Sequence, residues 1–227
     1  EWGQKQQRGL VASWTQFAAP AGLVMANGAL ALATALMPQD QFLDWGWRVP
    51  FLASAILVGI GFYIRRGILE SPVFSKVKRE GRIEKTPVLE AIKKNWREII
   101  LVAIIRTGQQ TPFYIFTTYV LTYATRTLGY SNTTILNLVM VQALLSMVVI
   151  PVFGHLSDRL GRRRMTIAGC LVMLVWPFVY FQMLDSGSLL LVAIAIILAL
   201  PMHDLQFGPQ AALIAEVFPS SRRYSGA

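Results

Sequence analysis

Gly154-His155-Leu156-Ser157-Asp158-Arg159-Leu160-Gly161-Arg162-Arg163-Arg164 is the stretch on which the reading of this chain turns. It is a short basic segment of the form G-x-x-x-D-R-x-G-R-R between two long apolar runs, Thr133 to Phe153 before it and Met165 to Leu184 after it. Gly154 lets two helices approach closely. Gly161 permits a tight turn that a side chain would resist. Asp158 can accept hydrogen bonds from a helix N-terminus or pair with a nearby arginine. The plainer alternative is a basic loop that only sets topology, but the two glycines and the aspartate at these offsets argue against it.

Outward from this segment, the chain reads as a succession of membrane spans. A helix needs about 20 apolar residues to cross the hydrocarbon core. Besides the two flanking runs, Phe17 to Met37 carries no charge, Ile99 to Thr125 contains Arg106, and Leu189 to Ala215 contains Asp204. Val49 to Ile64 is shorter, but Arg48 and Arg65 can snorkel and Trp45 and Trp47 suit the interface. The prediction is an all-α membrane protein with about six transmembrane helices in the lipid bilayer. Composition agrees: of the 227 residues, 54% are hydrophobic and only 15% charged, where a soluble domain carries roughly 25%. Mean hydropathy is +0.49.

The net charge of +9 does not indicate a nucleic-acid partner, because the basic residues sit between apolar runs. When the connecting segments are assigned alternately to two sides, one side collects 18 of the 21 lysines and arginines. The other holds Arg48 and Arg126, and Arg106 lies within a span. The positive-inside rule makes the basic side cytoplasmic, with both ends of the chain and the Gly67 to Arg97 connection on it. Within that connection, Val88, Leu89, Ile92 and Trp96 are spaced for a short amphipathic helix over Pro87 to Trp96. The lone Cys170, in an apolar run, provides neither a disulfide framework nor a metal cluster. The start at Glu1 without methionine, and the end at Tyr224-Ser225-Gly226-Ala227 in a loop-like stretch, suggest an internal piece of a longer protein.

The segment Gly154 to Arg164 resembles the loop motif of the major facilitator superfamily, in the form found in its C-terminal half. Trp45-Gly46-Trp47-Arg48-Val49-Pro50-Phe51-Leu52, followed by Glu70-Ser71-Pro72-Val73-Phe74, is similar to the metabolite:proton symporter family within it. So are Phe207-Gly208-Pro209-Gln210-Ala211-Ala212, Ala215-Glu216-Val217-Phe218-Pro219 and Arg223-Tyr224-Ser225-Gly226-Ala227. The resemblance covers nearly the whole chain and implies a twelve-helix fold of two halves. In that frame, residues 1–66 end the N-terminal half with two spans, 67–97 form the cytoplasmic central loop, and 98–227 make most of the C-terminal half with four. The remaining helices, missing here, would belong to the parent chain. The implied function is proton-coupled symport of a small organic solute, a carboxylate or a zwitterion, by alternating access. It belongs to a multi-pass protein of the plasma (cell inner) membrane that uses no cofactor besides the proton as coupling ion. The fragment alone is expected not to transport. Gly154, Asp158, Arg159, Gly161 and Arg162 would form a conformational gate.

Polar residues inside spans are costly and mark cavities or partners. Arg106 lies eight residues past Glu98, roughly 12 Å along a helix. It either contacts an anionic solute or a partner, or it snorkels back to the surface. Arg106, Gln110, Phe113 and Thr117 share one helical face, and Gln109 and Tyr114 adjoin it. Some members of the resembled family carry an acidic residue near the position of Gln109, where this chain has none. Asp204 lies twelve residues before Glu216, roughly 18 Å into the span. It can carry a coupling proton, or it can serve as a structural partner to a helix outside the chain. The substrate and proton pathway is therefore expected at Arg106, Gln109, Gln110, Tyr114 and Asp204. His203, about 100 degrees round the helix from Asp204, reads as a separately satisfied residue. Pro112, Pro201, Gly208 and Pro209 are expected to interrupt their spans, and Glu216 to cluster with Arg222 and Arg223. Asn27 reads as a hydrogen-bonding partner of a neighbouring helix. No phosphate-binding loop, filter-like repeat or catalytic cluster is present in the sequence, which argues against a nucleotide-driven pump, a channel or an intramembrane enzyme.

Overall fold

The computed structural model describes residues 7–67, residue 79 and residues 87–217. Among them are six helices long and apolar enough to cross a membrane. They are α1 (Arg8–Leu36), α2 (Arg48–Gly67), α3 (Asn95–Arg126), α4 (Asn132–Leu160), α5 (Arg162–Leu184) and α6 (Leu189–Val217). No strand occurs among the described residues, as expected where only helices can satisfy their own backbone groups without water. The helices overrun the apolar runs predicted for them. α1 begins at Arg8, nine residues before Phe17, and α4 continues through the basic motif to Leu160. Flanking polar residues can extend a helix past the hydrocarbon core.

The ends and breaks follow from local chemistry. α1 stops at Met37, whose extended backbone precedes Pro38. α4 is capped at its start by Ser131, which accepts a hydrogen bond from the Thr134 amide at 3.1 Å. It ends at Gly161, which adopts a φ of 93°, the left-handed side that favours glycine. Pro112 and Pro201 were expected to interrupt their helices, yet both lie inside continuous helix. The irregular turn of α3 comes later, a π-helical stretch over Ile115–Tyr119, where Thr117 donates its hydroxyl to the Phe113 carbonyl. α6 does break at Gly208-Pro209, between Leu189–Phe207 and Gln210–Val217. The helical stretch that begins at Pro87 runs directly into α3, with a kink at Asn95 where the backbone leaves helical geometry. The side chains of Ile92 and Trp96 in it are exposed.

α4 is the centre of the bundle. It buries Ile135, Val139, Gln142, Ala143, Ser146, Ile150, Gly154 and Ser157, a stripe at three- and four-residue spacing. α1 packs along one side of it and α6 along the other, and α5 packs on α6. At the end of the bundle away from Gly154–Arg164, an apolar cluster joins Phe116 and Val120 of α3, Ile135 and Val139 of α4, Tyr180 of α5 and Ile196 of α6. Among the described residues, α2 makes its main contacts with α1 and with the short segment before itself, and has no buried residue.

Candidate functional site: a cap at the motif end and a polar chain at mid-depth

The motif forms a close helix crossing. A Cβ built on Gly9 of α1 would lie 2.5 Å from the Gly154 carbonyl oxygen and 2.6 Å from Ser157 Oγ. One built on Gly154 would lie 2.5 Å from the Ser13 side chain. Small residues on both helices therefore allow near contact of the backbones. That contact brings Asp158 to the start of α1, where its two carboxylate oxygens accept from the amides of Gly9 at 2.8 Å and Leu10 at 3.1 Å. Those amides have no partner within their own helix, and the helix N-terminus favours a negative charge, worth about 0.3–2 kcal/mol. Arg162 donates to Asp158 at 3.2 Å and also pairs with Glu216 of α6. Four helices, α1, α4, α5 and α6, are thus tied together at a surface cavity of about 600 Å³ lined by residues 157–164, Leu213 and Glu216.

The partner of Glu216 expected from sequence, the Arg222-Arg223 pair, lies outside the described residues. Sequence reasoning also missed Gly9, whose role shows only once α1 and α4 are crossed. Arg159 is exposed, and Gly161 makes the turn into α5.

At mid-depth a polar chain crosses four helices. Arg106 of α3 donates to Gln210 Oε1 of α6 at 2.5 Å and to Gln109 Oε1 at 3.5 Å. Gln16 of α1 reaches the same Gln210 Oε1 at 3.3 Å. The guanidinium thus turns into the bundle rather than back to the surface, and lies 5.8 Å from the centre of the Phe207 ring. Gln109, buried, has its amide nitrogen 2.6 Å from His203 Nε2. His203 Nδ1 lies 3.3 Å from Asp204 Oδ1, and Ser146 of α4 donates to Asp204 Oδ2 at 2.5 Å. The order is Gln16, Gln210, Arg106, Gln109, His203, Asp204, Ser146. His203, Asp204 and Ser146 are all buried, so these contacts form without competition from water.

Two expectations are corrected here. His203 and Asp204 do not face apart: the imidazole swings along the helix surface and meets the neighbouring carboxylate, while its other nitrogen meets Gln109. Asp204 finds partners on α4 and α6 within this chain. The expected shared face on α3 divides in two. Arg106, Gln110 and Tyr114 line an open cavity of about 370 Å³ with Thr107 and Thr111. Phe113 instead packs on His203 with ring centres 5.9 Å apart, and Thr117 is buried. Arg106 belongs to both sets, with its head group in the polar chain and its residue open to the cavity. Gln16 was missed because it precedes the predicted span. A signal existed in the several glutamines set within apolar helices, namely Gln109, Gln142, Gln206 and Gln210. Among the described residues no group of His, Cys, Asp and Glu could hold a metal ion.

Comparison with known proteins gives a consistent picture. The family model described as Major Facilitator Superfamily matches residues 1–227. The "Inner membrane metabolite transport protein YhjE" of Escherichia coli (strain K12) is 39% identical, over 98% of this chain and 52% of the relative. The "Shikimate transporter" of the same organism is 32% identical, over 100% of this chain and 52% of the relative. Its "Proline/betaine transporter" is 28% identical, over 99% and 47%. The chain spans about half the length of the curated relatives it matches. No solved structure matches it.

Proposed function

Because the chain belongs to the Major Facilitator Superfamily, a family of transporters rather than enzymes, we propose that it forms the central part of a proton-coupled symporter. In this reading it moves a small organic carboxylate or zwitterion by alternating access. The observation that carries the reading is the polar chain from Gln16 to Ser146, which sets one cation, Arg106, and one buried carboxylate, Asp204, on either side of His203 and Gln109. Solute charge is met by Arg106 at the edge of the cavity that Gln110 and Tyr114 line. The proton is carried by Asp204, which is costly as a charge within the membrane and neutral once protonated. Relatives named for shikimate and for proline/betaine support an anionic or zwitterionic solute.

The Asp158 cap ties α1 to α4 and, through Arg162, to α6. Charge-assisted bonds at such a crossing hold one arrangement of the helices, and their release permits the other. The gate is therefore assigned to Gly154, Asp158, Gly161 and Arg162, with Glu216 added. Arg159, exposed, contributes to the basic surface. The basic side is cytoplasmic by its excess of lysine and arginine, and the membrane is the cell inner membrane, as the name of the YhjE relative supports.

The test is radiolabelled solute uptake by the full-length parent in vesicles. Asp204→Asn fixes the neutral form, so accumulation driven by a pH gradient should be lost while solute exchange without a gradient persists. Undiminished pH-driven accumulation in that variant would remove Asp204 from proton coupling.

A further inference from the structure

Gln142 is a buried polar residue that the chain of hydrogen bonds does not reach. It is fully buried on α4, and neither amide atom of its side chain has a hydrogen-bond partner among the described residues. An unpaired buried polar group is costly, and proteins relieve that cost with internal water that makes roughly 2–4 hydrogen bonds. Gln142 precedes Ser146 by four residues, about 6 Å along the same helical face. Ser146 donates its hydroxyl hydrogen to Asp204 Oδ2, and its oxygen keeps lone pairs with which to accept another. One turn from Gln142 in the other direction, α4 presents Val139 and then Ile135, both within the apolar cluster with Ile196 and Ala199. Gln142 thus stands at the boundary between the polar chain and a largely apolar layer, in which the Tyr180 hydroxyl also has no hydrogen-bond partner among the described residues.

We infer that Gln142 holds an internal water that relays protons to Asp204 through Ser146, from the end of the bundle opposite the motif. The inference rests on the reading of Asp204 as the proton carrier. A hydronium reaching this water leaves one proton on the Ser146 oxygen, as Ser146 passes its hydroxyl proton to Asp204 Oδ2. Water and serine are restored, the carboxylate becomes a carboxylic acid, and nothing is oxidised or reduced. The apolar layer beyond Gln142 closes the route until the helices rearrange, so that the carboxylate is not in open contact with both sides. Among the described residues, the titratable group touching Asp204 is His203 of α6, and Arg106 of α3 reaches it only through Gln109 and His203. From α4 the uncharged Ser146 donates to it. Tyr180 of α5 lies in the apolar cluster.

The test follows proton uptake by the purified full-length parent in nanodiscs after a pH jump, read with a soluble dye and needing no substrate. Gln142→Met, similar in length but apolar, should slow uptake about tenfold without changing the number of protons bound. Gln142→Asn, which keeps an amide, should recover most of the rate. The wild-type infrared difference spectrum should contain a water O–H band that shifts in heavy-oxygen water and vanishes in Gln142→Met. Asp204→Asn is the control and should lower the proton count. An unchanged count there would overturn the proton reading and this inference with it. A lowered count there, with wild-type rate in Gln142→Met, would overturn the relay alone. Should Gln142→Met fail to fold, the wild-type water band decides, and its absence overturns the relay.

Discussion

α2 and α4 are both long apolar helices, yet the bundle treats them differently. The most apolar window of α4 has a mean hydropathy of 2.3 and is 33% buried, whereas that of α2 has 1.4 and is 0% buried. Hydropathy alone does not set burial: the same window of α3, with a mean hydropathy of only 1.2, is 17% buried, because lipid is as good a solvent for leucine as another helix is. What α4 has and α2 lacks is a stripe of small and polar residues, Gln142, Ala143, Ser146, Gly154 and Ser157, at helical spacing and in contact with neighbours. α2 carries Gly59 and Gly61, but a Cβ on either would meet nothing within 4 Å. In a membrane, close packing and hydrogen bonds select the partner, while apolarity selects only the solvent.

This contrast can be tested most strongly at the α1–α4 crossing. Gly154→Leu places a side chain where even a Cβ lies 2.5 Å from Ser13, and should lower the stability of the full-length parent by about 2–3 kcal/mol or more. Thermal unfolding in detergent measures it. Gly59→Leu in α2 should stay within about 0.5 kcal/mol, and equal losses in the two variants would erase the distinction. Asp158→Ala comes next. Removing the cap of Gly9 and Leu10 should cost about 1–2 kcal/mol. The effect should be local: hydrogen exchange of those two amides should quicken while the mid-depth helices keep their protection. The smallest effect is expected for Leu57→Ala, at a position 53% exposed on α2, where a change below about 0.5 kcal/mol is expected. A loss well above about 1 kcal/mol there would mean that helices outside this chain cover α2, and would sharpen the comparison into one between internal and external packing.

Much of the fold was legible because the relevant signals are additive along a segment. Each of the six spans could be recognised from its own apolar length, and the distribution of lysine and arginine needed only a count. Boundaries were less legible. The helical start of α1 is stabilised by Asp158, a residue 149 positions from the Gly9 amide that it accepts from, and no local pattern at Gly9 announces it. At the site, Arg106, Gln109 and Asp204 stood out as polar residues in apolar surroundings, and the polar chain joins all three. His203 was misjudged because a helical wheel places Cα positions, whereas a histidine ring can reach an adjacent residue's carboxylate. Gln110 was placed on one face with Arg106, and Gln109 and Tyr114 beside that face, but the helix turns Gln109 towards α6 and leaves Gln110 and Tyr114 at the open cavity.

By itself, then, the sequence determined the solvent of each segment, the number of spans and the family resemblance carried by Gly154 to Arg164. These follow from transfer free energies and short motifs, which do not depend on where the other helices lie. Only the tertiary structure decided that Asp158 caps α1, that Gln210 is shared by Gln16 and Arg106, and that Gln142 has no hydrogen-bond partner among the described residues. Those contacts depend on the rotation and crossing of helices far apart in the chain. A hydrogen bond fails within about an ångström of misplacement, a tolerance much finer than any hydropathy pattern can set.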